Sequence, residues 1–248
     1  EDYTLRELGL RNEINGASRL KTIKEDLSSD FPMDRLRFPK YYPNLSNRNV
    51  LVSELVKGQT LEQGIETSSL EWEDLLELFR IHGAFMFGIG TFHGDLHPGN
   101  CILDPNGNFV FIDNGAICEA PRKVSKSLFN FFYHLSADDK ELAFESLISL
   151  AERRPRSDDV DKFKKDMHVI YKDFENLTVG QQSLTEVMMK TVRSAVENAG
   201  ADYGEEGFPI IRSLMYMDGL VIRTYPEVKL ISEMQNSLDE FKSGLNLG

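Results

Sequence analysis

The sequence has no long apolar run, little cysteine and no excess of positive charge. None of its apolar stretches approaches the roughly 18 residues of a membrane-spanning helix, so it predicts no membrane span. Its 248 residues carry a formal net charge of −12, which argues against nucleic acid as a partner and against a broad basic membrane-binding face. Cys101 and Cys118 are the only cysteines, and cysteines and histidines form no metal-ligand cluster. A disulfide between these cysteines stays open, but we expect two reduced, buried side chains.

The most informative stretch is residues 92–100 (FHGDLHPGN), followed by residues 111–115 (FIDNG). Asp95 precedes Asn100 by five residues, and Asp113 follows Asn100 by thirteen. This spacing is typical of a phosphoryl-transfer site on the C-lobe of a protein kinase. There, one aspartate orients the nucleophile or accepts its proton, while the asparagine and the second aspartate hold metal ions. We therefore predict that Asp95 and Asn100 are catalytic, and that Asn100 and Asp113 bind the Mg²⁺ that neutralises the triphosphate of ATP.

Residues 101–112 connect the two motifs and are predicted to form a β-hairpin. Asn106 and Gly107 are a strong turn signal, because both tolerate a positive φ. A hairpin would return Asn100 and Asp113 to the same end of the structure. The alternative interpretation is an ordinary surface hairpin with polar ends.

Strands are predicted only in the first half of the chain. Apolar spacing predicts a helix over 3–28, irregular structure with one short strand over 29–49, and a buried strand over 50–56. Ser69 is expected to cap a helix that continues to about residue 85 and is ended by Gly88 and Gly90.

After Asp113 the pattern predicts helices alone, with Ser136 as an N-cap. They span residues 121–135, 138–152, 157–176, 184–199, 206–223 and 228–243. The predicted fold class is α+β and mostly α. It is a protein-kinase-like C-lobe over 57–248, with the catalytic β-hairpin and a helical tail, preceded over 1–56 by a partial N-lobe with an αC-like helix and hinge strands.

The parts that normally precede a kinase hinge are missing from the sequence. It has no glycine-rich phosphate loop and no strand that carries a Val-Ala-x-Lys lysine. The chain also starts at Glu1 without a methionine or a signal peptide, which suggests a processed product, an excised piece or part of a longer protein. We therefore expect a chain that begins inside the N-lobe of a longer protein and that, by itself, binds nucleotide weakly or not at all.

These motifs resemble the UbiB/ADCK family of atypical kinases over nearly the whole chain. Residues 7–13 are similar to that family's Glu-x-Asp and Arg-Glu-Ala on the αC-like helix, and residues 50–59 to its hinge. Residues 92–100 are similar to its catalytic loop, and residues 209–226 to a late helix with a short loop. His-Pro-Gly-Asn also occurs in aminoglycoside-phosphotransferase-type enzymes, but the αC-like segment and the helical tail favour UbiB/ADCK.

The resemblance implies further nucleotide-binding residues. Glu7 would contribute to the nucleotide pocket, and Glu13 would pair with the lysine that this chain lacks. Glu54, Leu55 and Val56 would offer hinge backbone groups to adenine. The cofactors implied are ATP and Mg²⁺, and the implied location is the matrix side of a mitochondrial inner membrane or the cytoplasmic face of a bacterial one, as a peripheral protein with membrane or quinone-biosynthesis partners.

Three features depart from the family pattern. Gly9 stands where the family has the aspartate of Glu-x-Asp, and Asn114 replaces the phenylalanine of Asp-Phe-Gly. The family's Lys-x-Gly-Gln segment and its alanine-rich loop are not in the sequence. The first departure puts the family's active-site control in doubt. The second matters less, because the aspartate holds the metal.

The chain after Gly115 is too short for a peptide-substrate platform. Protein kinases place a long activation segment there and close it with Ala-Pro-Glu. Here 119–121 reads Glu-Ala-Pro, which is the wrong order and lies too close. A small molecule, a lipid-like substrate or ATP hydrolysis alone fits better than a protein substrate.

Three functional hypotheses follow from the sequence. The first is an ATP-dependent atypical kinase or ATPase of UbiB/ADCK type that supports ubiquinone or lipid metabolism. The second is a small-molecule phosphotransferase similar to aminoglycoside or choline kinases, for which Glu205 and Glu206 are weak substrate-binding candidates. The third is a non-catalytic pseudokinase scaffold. Asp95, Asn100 and Asp113 argue against it, whereas Gly9, Asn114 and the missing lysine argue for it.

Overall fold

The structure, a computed structural model, describes residues 10–153, 155–245 and 247. Packing divides it into two compact units. The first comprises Glu1–Phe85 with Thr91–Glu119, and the second Met86–Gly90 with Ala120–Gly248. These units are defined by contacts, and the predicted lobe boundary between residues 56 and 57 stays a prediction. Within the described residues, no helix has the length and apolar character that crossing a bilayer requires.

Short elements surround the predicted hairpin in the first unit. Its helices are α1 (Leu10–Leu27), α2 (Leu61–Glu66) and α3 (Trp72–Gly83), and its strands are β1 (Leu36–Arg37), β2 (Gln59–Thr60), β3 (Thr91–His93), β4 (Cys101–Leu103), β5 (Phe109–Phe111) and β6 (Ile117–Glu119). The predicted helix over 3–28 is confirmed where the structure describes it, and so is the single short strand between residues 29 and 49.

The hairpin of β4 and β5 is confirmed and lies inside a four-stranded sheet of order β1-β5-β4-β2. Cys101 pairs with Phe111, so the residues on either side of the hairpin return to the same end. The Asp104 carboxylate closes the turn by accepting from the backbone N–H of Asn106 and of Asn108, at 2.8 and 2.9 Å. Gly107 takes the positive φ of +80° that the turn requires.

A second, two-stranded sheet was not predicted. β3 and β6 pair antiparallel, with His93 opposite Ile117. The expectation of helices alone after Asp113 is therefore wrong for residues 117–119. Three residues are too few to show a period of two, and their partner lies far away along the chain. Cys101 and Cys118 are both free and buried, which agrees with the expectation of reduced side chains.

The predicted buried strand over 50–56 is wrong. A single bridge joins Ser53 to Tyr41, and the rest of the segment is irregular. The Val50 side chain is 49% exposed and that of Leu55 86%. The apolar run has only the irregular stretch around Tyr41 to pair with, so its composition alone did not make it a strand.

The predicted start of α3 also needs correction. The helix begins at Trp72, where the Glu71 N–H donates to Asp74 Oδ2 at 3.4 Å. Ser69 instead accepts from Gln59 Nε2 at 2.7 Å. The helical path then continues as a π-helical turn, Ala84–Ile89, so Gly88 lies inside it. Gly90, with φ +83°, ends it as predicted.

The second unit is helical. Its helices are α4 (Arg122–Ser136), α5 (Lys140–Ile148), α6 (Ser157–Ile170), α7 (Leu184–Ala199), α8 (Gly204–Thr224) and α9 (Leu230–Gly244). Ser136 is not an N-cap, because its hydroxyl donates to Tyr133 O and Asp139 caps α5. The helix predicted over 157–176 stops at residue 170, since Asp173 has φ +57°, and a short 3₁₀ turn follows.

Buried aromatic rings and one buried carboxylate organise this unit. The Phe87 ring centroid lies 6.2 Å from those of Phe129 and Phe132, at the centre of the helices. Asp218, fully buried on α8, accepts from the backbone N–H groups of Leu184 and Thr185 at 3.0 and 2.8 Å. A carboxylate thus satisfies two free donors at the start of α7.

Candidate active site

Hydrogen bonds tie the loop after β3 to the strand that ends at Asp113. Asn100 closes a 3₁₀ turn, Pro98–Asn100, and its side-chain Nδ2 donates to the Asp95 carbonyl at 3.0 Å. The Asn100 carbonyl accepts from Ile112 N at 3.0 Å. Asp95, Asn100 and the residue before Asp113 are therefore held in one connected backbone arrangement.

His93 adds a second tie between the same two segments. Its Nε2 donates to Ile112 O at 2.9 Å and its Nδ1 accepts from Asp95 N at 3.2 Å. These partners fix the neutral tautomer, because a carbonyl can only accept and an amide N–H can only donate. Burial lowers the His93 pKa, which favours the same neutral form. The side chain thus braces the loop.

Aromatic rings pack against His93. The Phe111 ring lies edge-on to His93 and to His82, with centroids 6.0 and 6.4 Å apart. His82 is fully buried, and neither ring nitrogen has a hydrogen-bond partner among the described residues. Burial, with a smaller effect of His93, lowers the His82 pKa to about 3, so the ring is a neutral packing group.

Asp113 is exposed and adopts φ +57° immediately after β5. This left-handed backbone is uncommon outside glycine, though aspartate and asparagine tolerate it best. Asp113 lines a cavity of about 410 Å³. The cavity is lined by Leu10, Glu13, Pro39, Tyr41, Leu51, Ser53, Glu54, Leu55, Val56, Ile102, Ile112, Asp113 and Gly115.

The predicted hinge residues form one wall of this cavity. The Glu54 carboxylate accepts from Lys40 N and from the Arg37 guanidinium, both at 3.0 Å, and these bonds lower the Glu54 pKa. The Glu54 N–H is also used, since it donates to Lys40 O at 2.7 Å. The backbone groups of Leu55 and Val56 make no hydrogen bond to other described residues, so they are available to a ligand.

Glu13 on α1 reaches the Asp113 turn. Its Oε1 accepts a short hydrogen bond from the Tyr41 hydroxyl and a 3.2 Å bond from Asn114 Nδ2. Asn114 is fully buried, and its Nδ2 also donates to Phe111 O at 2.9 Å. Burial, together with the Glu13 carboxylate, raises the Tyr41 pKa, so the hydroxyl keeps its proton.

The sequence reasoning did not identify Tyr41 as part of the site. Tyr41 lies in the proline-containing stretch that was expected to be irregular, and no motif or spacing marks it. Only the chain path places it beside Glu13. Gly16 lies inside the predicted helix, where a glycine is normally unfavourable, and a Cβ there would overlap Asn114 O. A glycine one turn after Glu13 was the available signal.

The structure gathers some of the predicted residues and leaves others apart. Glu13, residues 54–56 and Asp113 share the cavity, whereas Asp95 and Asn100 are absent from its described lining and connect to it through Ile112. Glu7 lies outside the described residues. The catalytic, nucleotide-binding and metal-binding roles stay predictions.

The donor set fits magnesium held jointly with a nucleotide. Within the described ranges, no group of three or more His, Cys, Asp and Glu side chains could hold a metal ion alone. Mg²⁺ usually takes one or two carboxylates and completes its shell with phosphate oxygens and water. Asp113, exposed to the cavity, and the Asn100 amide oxygen are side-chain groups of that kind.

Comparison with known proteins identifies relatives of this sequence. Residues 1–147 match the ABC1 atypical kinase-like domain. The chain is 26% identical to "Protein ACTIVITY OF BC1 COMPLEX KINASE 3, chloroplastic" of Arabidopsis thaliana, over 91% of this chain and 31% of that protein. It is 24% identical to "Probable protein kinase UbiB" of Vibrio vulnificus, over 97% of this chain and 44% of that protein. The chain thus spans less than half the length of these curated relatives.

A solved structure shows a weaker likeness. It is titled "The complex structure of Rv3197-erythromycin from Mycobacterium tuberculosis", with 18% sequence identity and a TM-score of 0.40. The match covers 88% of this chain and 60% of that one. The family match, together with a mostly helical chain that carries a small sheet, confirms the predicted α+β, kinase-like fold class and the predicted family resemblance.

Proposed function

The chain belongs to the ABC1 atypical kinase-like family, and we propose that it is the part of an atypical kinase or ATPase that holds the metal-bound phosphates of ATP. One observation carries the proposal. The loop of Asp95 and Asn100 is fixed to the strand of Asp113 through both the carbonyl and the N–H of Ile112. Phosphoryl transfer depends mostly on positioning and charge neutralisation, and this network fixes the backbone segments that carry the three polar side chains.

In this proposal each residue has a separate task. Asp113 and Asn100 hold Mg²⁺, which, when bound, neutralises charge on the phosphate oxygens. Asp95 orients the attacking hydroxyl or water and accepts its proton. The free backbone groups of Leu55 and Val56 meet the adenine edge in the same cavity.

The acceptor is proposed to be small, lipid-like or water. Residues 117–119 are occupied in pairing with β3, and α4 starts at Arg122, so little chain remains for a peptide-binding platform. The names of the relatives, UbiB protein kinase and BC1 complex kinase, support the kinase class alone. The proposed role in quinone or lipid metabolism at a mitochondrial or bacterial inner membrane, with membrane or biosynthetic proteins as partners, comes from the family resemblance.

A pseudokinase scaffold is the second candidate. Glu13, which the family resemblance assigns to a lysine, is bonded here to two neutral donors, Tyr41 and Asn114. It forms no ion pair with any residue that the structure describes. A chain that assembles with partners without turning over ATP would tolerate this arrangement.

The two candidates are separated by nucleotide binding to the full-length protein. A ligand that binds only the native state, at one hundred times its Kd, raises the free energy of unfolding by about 2.7 kcal/mol. We expect an ATP analogue with Mg²⁺ to raise the melting temperature of the wild type and Asp113→Asn to abolish the Mg²⁺-dependent part. Asparagine keeps the size of the side chain and the tolerance for φ +57°, so the fold should survive.

Asp173→Asn is the matched control. Asp173 is also exposed and also has φ +57°, but it belongs to the helical unit. It should leave the Mg²⁺-dependent shift unchanged. A wild-type protein with no shift would favour the scaffold, and an Asp113→Asn protein with a full shift would remove Asp113 from the metal site.

A further inference from the structure

Helix α1 holds the Asp113–Gly115 turn at two points one helical turn apart. Residues at i and i+3 lie on the same helix face, and here they are Glu13 and Gly16. Glu13 binds the Asn114 side chain, and Gly16 packs against the Asn114 backbone so closely that a Cβ would overlap its carbonyl oxygen. The residue after the proposed metal ligand is thus fixed through both its side chain and its main chain.

The hydrogen bonds of Asn114 fix the orientation of its amide. Nδ2 faces three oxygens: Phe111 O, Glu13 Oε1 and the Tyr41 hydroxyl, the last at 3.4 Å. The reversed amide would turn its oxygen toward the Glu13 carboxylate and the Phe111 carbonyl, which can only accept. Asn114 is therefore held as a donor with almost no alternative, which suits a positioning role.

Tyr41 completes the arrangement from a different segment. The same Glu13 oxygen accepts from its hydroxyl, and Tyr41 also carries the bridge to Ser53 before the hinge residues. Both donors are neutral, and Glu13 lines the same cavity as Asp113. Hydrogen bonds to a charged group are stronger than those between neutral groups, so this cluster can restrain a turn.

We propose that Tyr41, Glu13 and Asn114 form a positioning cluster that holds Asp113 in its left-handed conformation and thereby sets the affinity of the site for Mg²⁺. The inference rests on the proposed function for the metal, but the restraint on the turn can be measured without any ligand. In this proposal the three act through the turn, as positioning residues. A residue that only packed against its neighbours would stabilise the fold without changing the affinity of the site for Mg²⁺.

The test uses three full-length variants and one matched control. Tyr41→Phe removes one hydroxyl, Asn114→Leu removes the amide donors at nearly constant volume, and the double variant measures their coupling. Tyr171→Phe is the control, because the Tyr171 hydroxyl also makes a side-chain hydrogen bond, to Thr191 at 2.8 Å, in the helical unit. It removes a comparable bond far from this cluster in sequence.

The first readout is amide hydrogen exchange without ligand. The Ile112 N–H, bonded to Asn100 O, reports on the strand just before the turn. We expect its exchange to accelerate by about tenfold in Tyr41→Phe and in Asn114→Leu, since a hydrogen bond to a charged group is worth at least that factor. Tyr171→Phe should leave it unchanged. Unchanged exchange in both cluster variants would overturn the positioning cluster.

The second readout is the apparent Mg²⁺ affinity at a fixed concentration of ATP analogue. We expect Tyr41→Phe and Asn114→Leu each to weaken it by about tenfold, and the double variant by less than the product, because both act on Glu13. If both single variants bound Mg²⁺ with wild-type affinity, the cluster would not set the affinity for Mg²⁺, although the proposed function would stand. A wild-type protein that binds no nucleotide would overturn the proposed function and the metal role together, leaving the exchange result to decide the restraint on the turn.

Discussion

Replacing Gly16 by alanine gives the sharpest test of how α1 is seated. Glycine inside a helix normally costs about 0.5–1 kcal/mol relative to alanine, so the substitution should stabilise an isolated helix. At this position the added Cβ would overlap Asn114 O, and it would lie 2.9 Å from the Asn114 carbonyl carbon and 3.0 Å from Ile117 Cγ1. An ordinary contact between carbon and oxygen is about 3.3 Å or more, so α1 has to move.

We therefore expect Gly16→Ala to destabilise the protein, whereas helix propensity alone would predict stabilisation. Overpacking of a well-packed contact costs about 1–3 kcal/mol, and movement of α1 also stretches the bond from Asn114 to Glu13. After the propensity gain, we expect Gly16→Ala to lower the free energy of unfolding by about 1–2 kcal/mol. The obstacle is mainly backbone, which cannot rotate away as a flexible side chain would.

Urea unfolding provides the assay. Trp72 is the only tryptophan and lies on α3, so its fluorescence follows the unit that contains α1. Gly219→Ala is the control, because Gly219 lies inside α8 and, apart from the backbone of α8 itself, no described residue comes within 4 Å of the place that an added Cβ would take. Followed by circular dichroism, it should stabilise the chain by about 0.5–1 kcal/mol. If Gly16→Ala stabilised the protein as much, the close packing of α1 on Asn114 would be refuted.

Two further predictions concern buried titratable groups. His82, whose folded pKa of about 3 lies below its usual 6.5, favours the native state fully above pH 6.5 and less as the pH falls toward 3. In His82→Phe the free energy of unfolding, measured with urea, should therefore fall less between about pH 7 and 5, a range above the usual pKa values of carboxylates. The same pH dependence as in the wild type would contradict a neutral, buried His82. Asp218→Asn should lower the free energy of unfolding by about 1.5–3 kcal/mol, because an amide has one acceptor for the two N–H groups of α7. Asp239→Asn, at an exposed site on α9, should change thermal stability little, and equal effects of the two would argue against capping by Asp218.

Local signals predicted the hairpin and most helices well. The Asn106-Gly107 turn and the fixed spacing of Asp95, Asn100 and Asp113 depend on neighbours in the sequence, so they could be read directly. The helices after residue 121 also show their period over many turns. Their ends were less accurate, because caps such as Asp139 compete with nearby serines that look equally suitable.

The misses share a dependence on distant partners. The segment 50–56 has no neighbouring strand in the part of the chain that the structure describes, whereas Ile117–Glu119 forms a strand because Thr91–His93 lies beside it. The same holds in the candidate site. Tyr41 joins Glu13 only through the path of an irregular segment, and the closeness of α1 to Asn114 requires the folded chain. Composition and period carry no information about such pairings.

The Arg37 guanidinium joins two separate segments of the first unit. It donates to Glu54 on the hinge segment at 3.0 Å and to Asp104 in the hairpin turn at 2.9 Å. A single planar guanidinium thus connects the segment proposed to meet the base with the hairpin flanked by Asn100 and Asp113. Under the proposed function, the two ends of a bound nucleotide are mechanically linked through a residue that touches neither, so exchange rates in the hairpin turn would report whether the base is seated.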